Sequence, residues 1–197
     1  MRFALKRFLF GLAVIVISPL IILTLLEALI FGKDTRRIFG GCAEILSLVP
    51  SIIGNYFRKA YYWGTCTNVS PDTHFLFGVM LARRENTIRR GVSLGVHTYI
   101  GYADIGENVL FGARISIISG KYQHGKPSER KDNKEVEESH EVIKIGDNSW
   151  IGSDSSILAN IGSNCTVGAG SVVLKDVPDG WTVMGNPARK VNVEPAK

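Results

Sequence analysis

An aliphatic residue recurs every six positions through residues 145–173, at Ile145, Ile151 and Ile157 and again at Ile161, Val167 and Val173. Glycine follows directly at Gly146, Gly152, Gly162 and Gly168, and a small residue stands two places ahead at Ser149, Ser155, Cys165 and Ser171. An amphipathic helix repeats every 3.6 residues and a half-buried strand every two, so neither yields this pattern. A chain that turns a corner every six residues does yield it. Each side of a triangular coil then points one large aliphatic chain inward, and the small residue shares that interior. Such coils stack into a parallel β-helix around one continuous core. Asn108, Asn148 and Asn164 stand three residues beyond Ile105, Ile145 and Ile161, and asparagine tolerates the left-handed backbone that a tight corner needs. Upstream, the period reads through Leu76, Ala82, Ile88, Leu94 and Ile100, then restarts one residue early at Ile105, Phe111 and Ile117. The step from Ile157 to Ile161 is four, which trims one corner.

Two stretches break the pattern. Residues 119–141 (SGKYQHGKPSERKDNKEVEESHE) are polar and mostly charged, and nothing in them can fill a solenoid interior, so they are expected as a loop thrown out between coils. Residues 8–31 (FLFGLAVIVISPLIILTLLEALIF) are almost wholly apolar and long enough to cross a bilayer. Pro19 at their middle favours a kink, and both flanks are basic, with Arg2, Lys6 and Arg7 before and Lys33, Arg36 and Arg37 after. The positive-inside rule therefore points to no single orientation, and the expectation is a re-entrant hairpin of two half-helices. A second apolar segment, residues 38–57, is followed by Arg58, Lys59, Tyr61, Tyr62 and Trp63, a basic and aromatic belt suited to lipid headgroups. The expected organisation is a membrane-anchoring helical part over 1–70, re-entrant or interfacial, and a β-helix domain over 71–197. Glu27 is the one acid of the first apolar stretch; it either serves a function inside the membrane or reaches the interface from a helix end.

The net charge of +5 is local. Residues 1–60 hold eight basic side chains against three acidic ones, and the remainder is balanced. A neutral body with a basic, apolar N-terminus fits an anionic membrane surface better than nucleic acid. Cys42, Cys66 and Cys165 form no CxxC pair, which fits a reducing compartment.

The run from Leu94 to Val191 resembles the left-handed parallel β-helix acyltransferases of the hexapeptide-repeat superfamily, the sugar O-acetyltransferases in particular. The residues that carry the likeness are Ile105-Gly106-Glu107-Asn108, Ser149-Trp150-Ile151-Gly152, residues 167–173 (VGAGSVV) and residues 185–189 (GNPAR). The excursion with SGKYQHG resembles the catalytic loop of those enzymes, and the first 70 residues loosely resemble the anchors of membrane-attached members. The resemblance implies a left-handed coil, a homotrimer with its site between subunits, acetyl-CoA as co-substrate, no metal, and a sugar or lipid-linked glycan acceptor. Together with the anchor it implies a catalytic domain on the cytoplasmic face of the inner membrane.

Acyl transfer from a thioester to a hydroxyl needs a base, a donor for the oxyanion and a groove for the thioester. The resemblance makes His124 the base, with Glu141 at the loop's return to orient it. His97, in a coil hexad, is the second candidate, either a corner side chain or part of the groove. By the same likeness the amide near Ser153 contacts the thioester, Ala169 and Gly170 let the pantetheine arm lie close, and Lys175, Arg189 and Lys190 meet the CoA phosphates. Two other classes are compatible with the repeats: a γ-carbonic-anhydrase-like metal enzyme using His97, His124 and His140, and a non-catalytic membrane scaffold.

Overall fold

Each hexad folds into a strand of two or three residues and a corner. The structure, a computed structural model, describes residues 2–32, 34–119 and 141–192. The strands stack in register into three parallel sheets. Sheet A holds β1 (Asn68–Val69), β4 (Thr87–Ile88), β7 (Ala103–Ile105) and β10 (Ile143–Ile145), continued by bridges through Ile161 and Val177. Sheet B holds β2 (His74–Phe75), β5 (Ser93–Leu94), β8 (Leu110–Phe111), β11 (Trp150–Ile151), β13 (Thr166–Val167) and β15 (Thr182–Met184). An antiparallel β16 (Arg189–Lys190) closes that sheet. Sheet C holds β3 (Met80–Leu81), β6 (Tyr99–Ile100), β9 (Ser116–Ile117), β12 (Ser156–Ile157) and β14 (Val172–Val173). The result is a parallel β-solenoid of about five turns.

The six-residue code is the core. Ile151, Ile157 and Val167 are fully enclosed, and the small residues two places earlier, Ser149, Ser155, Cys165 and Ser171, are as deeply buried. A buried hydroxyl needs a partner, and these find carbonyls at the glycine corners. Ser149 Oγ donates to Gly162 O at 2.8 Å, Ser155 Oγ to Gly152 O at 2.8 Å and Ser171 Oγ to Gly168 O at 2.6 Å. Asn108, Asn148 and Asn164 adopt φ of 56°, 57° and 55°, the left-handed corner expected of them. Asn148→Ala should therefore lower stability by about 1 kcal/mol and Asn148→Gly by less, because only the former keeps a Cβ at positive φ without a compensating amide. Thermal melts of the two variants side by side check this order.

Upstream the register differs by one residue from the sequence expectation. Phe75 and Leu81 point inward, whereas Leu76 is 39% exposed. Seven residues, not six, separate Leu81 from Ile88, and the extra one is absorbed in the turn that Asn86 organises. Asn86 Nδ2 donates to Arg83 O and Gly101 O, and its Oδ1 accepts from Ala103 N.

Three helices cover the first coil: α1 (Arg2–Phe31), α2 (Arg37–Ser47) and α3 (Ser51–Thr65). The expected reversal at Pro19 is absent, for α1 runs through the proline as one element. Its buried face is Ala13, Ile17, Ile21, Thr24 and Glu27, packed along α3. Both of its ends meet the solenoid: Lys6, Arg7 and Phe10 share a cavity with Pro71, Asp72 and His74, and Glu27 pairs with Arg84. From residue 6 to residue 27 is about 32 Å of helix, so α1 lies across the end of the solenoid and does not project from it. The opposite face stays bare, with Phe8 68% and Ile15 69% exposed.

The cap beneath α1 is aromatic and doubly charged. Phe39, Tyr61, Tyr62 and Phe75 pack ring to ring, with Tyr62 and Phe75 centroids 5.0 Å apart. Glu27 accepts from the first amides of α2, Ile38 N at 2.7 Å and Phe39 N at 3.1 Å. Arg58 donates to the carbonyls at the other end of α2, Leu46 O and Val49 O, both at 2.8 Å. An acid at the N-terminus and a base at the C-terminus both match the helix dipole. Glu27 is thus a buried helix cap, neither a membrane-embedded functional group nor an interfacial one. The expected headgroup belt is corrected in the same way. Arg58, Tyr61 and Tyr62 point into the cap because α3 is wedged between α1 and the first coil, and Trp63 is left exposed.

Candidate functional site

The corner between sheets B and C carries the first group of candidate residues. In the third coil the Ala113 amide donates to Ser153 Oγ at 3.0 Å. One coil further, the Ser153 amide faces Ala169, whose methyl offers no acceptor. Among the described residues neither the Ser153 nor the Ala169 amide has a partner. Two backbone donors therefore stand one above the other, about 4.8 Å apart by the strand spacing. Gly170 follows at φ 69°, so the corner itself accounts for that glycine. Ala169 is exposed and bears no atom beyond Cβ.

Lys175 lies on the next corner, after β14. A cavity of about 240 Å³ brings it together with Arg189 and Lys190, over a floor of Val173, Val177, Trp181 and Val183. Lys190 Nζ sits 4.2 Å from the Trp181 ring centroid, a cation–π contact that holds the tail against the last coil. Asp176 shares this cavity, but its carboxylate already accepts from Asn160 N at 2.9 Å. The three basic candidates, 14 or more residues apart in sequence for Lys175 and Arg189, converge because β16 folds back antiparallel on β15.

Glu141 is exposed and borders an adjoining hollow with Leu158, Asn160 and Lys175. Its amide donates to Ser119 O at 3.3 Å, so the two ends of the excursion meet between the third and fourth coils. His124 and His140 lie outside the described residues. His97 is a corner residue at φ 56°, its ring edge-on to Phe77 and stacked over Gly78, where a Cβ would collide with its Nδ1. It stands three coils, about 14 Å, from Gly170 on the same edge, with the Arg114–Asp154 pair between them. That pair is bidentate, 2.6 and 2.7 Å, and exposed, and each partner favours the other's charged form. No local motif announces it, for its members are 40 residues apart. The structure thus joins Lys175 to Arg189 and Lys190, and Ser153 to Ala169 and Gly170, but places His97 away from both groups.

None of the cysteines is placed as a nucleophile. Cys42 and Cys165 are buried, and burial pushes the Cys66 thiol far above its ordinary range, the reverse of what a reactive thiolate needs. Among the described residues no three His, Cys, Asp or Glu side chains come together as a metal ion would require.

The sequence matches the family model described as the hexapeptide repeat of succinyl-transferase over residues 102–120 and 142–175, the third to fifth coils. No curated protein matches the chain. Among solved structures, a maltose O-acetyltransferase from Clostridium difficile 630 is 20% identical at TM-score 0.56, over 79% of this chain and 84% of that one. A variant of AntD, an N-acyltransferase from Bacillus cereus solved with dTDP and coenzyme A, is 17% identical at TM-score 0.51, over 65% of this chain and 77% of that one. Serine acetyltransferase from Neisseria gonorrhoeae is 34% identical at TM-score 0.44 over 59% of this chain, which spans 42% of the length of that enzyme.

Proposed function

We propose that this hexapeptide-repeat chain is a CoA-dependent O-acyltransferase, moving an acetyl group from acetyl-CoA to a sugar hydroxyl. The observation that carries the reading is the pair of open amides at Ser153 and Ala169. They are rigid, pointed donors on a corner with no side chain in the way, which is what a thioester carbonyl needs as its oxygen becomes an oxyanion. Lys175, Arg189 and Lys190 form a basic end suited to phosphates. From Gly170 to Lys175 is five residues, at most about 17 Å, so an extended linker reaches from one set to the other. His124 takes the proton of the acceptor hydroxyl as its oxygen attacks the thioester carbon. The carbon–sulfur bond then breaks, and the proton returns to the departing sulfur. Glu141 holds the imidazole, and His97 belongs to the corner.

A homotrimer completes the site in this reading. Leu110 and Trp150 stack directly in register on the outer face of sheet B, 52% and 49% exposed, and a second copy of the chain is the natural cover. The helical cap is the membrane contact. Because α1 touches the solenoid at both ends, its bare face suits an in-plane position in one leaflet, at the cytoplasmic side of the inner membrane. An acceptor held at the same surface, a lipid-linked glycan, fits that placement.

Acetyl-CoA binding at two salt concentrations tests the donor end. Wild-type affinity should fall as salt rises, while Lys175→Ala and Arg189→Ala should bind more weakly at low salt and respond less to salt, since each removes a screened phosphate contact. A wild type that does not bind acetyl-CoA at all would return the chain to the scaffold reading.

A further inference from the structure

A cavity of about 330 Å³ opens where three elements meet: Lys6, Arg7 and Phe10 of α1, Lys59 of α3, and Pro71, Asp72 and His74 of the first coil. No step of acyl transfer uses it. Its lining carries two lysines and an arginine against one carboxylate. Lys59 is only 9% exposed, and its ammonium rests on aromatic faces, 5.3 Å from the Tyr56 centroid and 6.0 Å from Phe10. Among the described residues no carboxylate forms an ion pair with it. A buried ammonium without a counter-ion is costly. The strain shows in the neighbourhood: desolvation, opposed by Asp72 and reinforced by Lys6, holds Lys59 below its ordinary range. Desolvation together with Lys59 and Lys6 does the same to His74, again opposed by Asp72.

We infer that this cavity binds the phosphate of a membrane lipid, a phosphomonoester or diphosphate headgroup, with Lys59 at its floor and Lys6, Arg7 and His74 around its mouth. The sign of the charge matches, for a phosphomonoester carries about −1.5 to −2 at neutral pH and the lining is basic on balance, with Lys6, Lys59 and His74 facing Asp72. The position selects a lipid over free phosphate. Trp63, one turn beyond Lys59 on the same face of α3 and 44% exposed, packs edge-on against Phe10 of the lining at 5.5 Å, so acyl chains have an aromatic, apolar wall beside the phosphate. The lipid source rests on the membrane reading of α1 and is independent of the acyl-transfer reading.

The test uses the full-length chain in a nonionic detergent without acetyl-CoA, titrated with dihexanoyl phosphatidic acid, dihexanoyl phosphatidylcholine and inorganic phosphate. Phosphatidic acid should bind at least tenfold more tightly than either of the others. Lys6→Gln and Lys59→Met should each lower its affinity at least tenfold. Lys6 is exposed, so Lys6→Gln stays informative if Lys59→Met does not fold. His124→Ala should bind phosphatidic acid as the wild type does, which separates failure here from failure of the catalytic reading. Equal binding of phosphatidylcholine would reduce the site to an apolar surface, and inorganic phosphate binding as tightly as phosphatidic acid would remove the lipid. Unchanged affinity in Lys6→Gln, with or without a folded Lys59→Met, would overturn the site.

Discussion

Arg84→Met should destabilise the chain by about 3–5 kcal/mol, because it leaves the Glu27 carboxylate buried and unpaired. Both side chains are almost fully enclosed, 6% and 2% exposed. The guanidinium does more than neutralise Glu27, since it also donates to Thr24 O and Thr35 O. It thereby ties the last turns of α1 and the connection to α2 onto the first coil. For a chain of this size the loss corresponds to roughly 6–20 °C in melting temperature. Glu27→Gln keeps an acceptor for the α2 amides and should cost less than Arg84→Met. The double variant should recover part of the loss, as no orphaned charge remains. A melt of Arg84→Met within about 1 kcal/mol of wild type, well under that range, would show that water reaches the pair in the folded protein.

The second large effect expected is on turnover. His124→Ala should reduce transfer by on the order of 10²–10⁴, the usual contribution of a positioned base, with acetyl-CoA affinity unchanged. The residue lies outside the described region, so the case rests on what surrounds it. The excursion that carries it leaves at Ser119 and returns at Glu141, and the coil entered on return contains Ser153. Two of the three competing histidines are accounted for elsewhere: His74 lines the basic cavity at the first coil, and His97 is packed on Gly78. His140, also outside the described residues, lacks the flanking SGKYQHG pattern. Turnover above about a tenth of wild type, short of that range, would remove the assignment.

The six-residue period is legible because the coil repeats one local rule. An aliphatic residue and a small one point inward side after side, and asparagine or glycine takes many of the left-handed corners, so strand positions, core and corners follow from neighbours a few places apart. The rule ran out where a single residue was inserted between Leu81 and Ile88, since a period read backwards from Ile88 carries the slip to Leu76 without warning. Composition marked residues 8–31 as apolar and the excursion as unable to enter a core, both consequences of side-chain chemistry alone. The amides of Ser153 and Ala169 are another matter. Whether a corner amide is free depends on the side chain one coil below, and that neighbour is chosen by the stacking register.

The sequence by itself determined the solenoid, its inward faces and the residue types available for chemistry, because these depend on periodicity and on local backbone preference. Only the tertiary structure decided that α1 runs unbroken through Pro19 and lies across the first coil, that Glu27 and Arg58 cap the two ends of α2, and that Lys6, Arg7, Lys59 and His74 share one cavity. The contacts among these join residues on different elements, such as Glu27 and Ile38, 11 positions apart, and Lys6 and His74, 68 apart. Burial and charge pairing at such separations are set by how helices settle on a coil, and no local pattern in the chain encodes that.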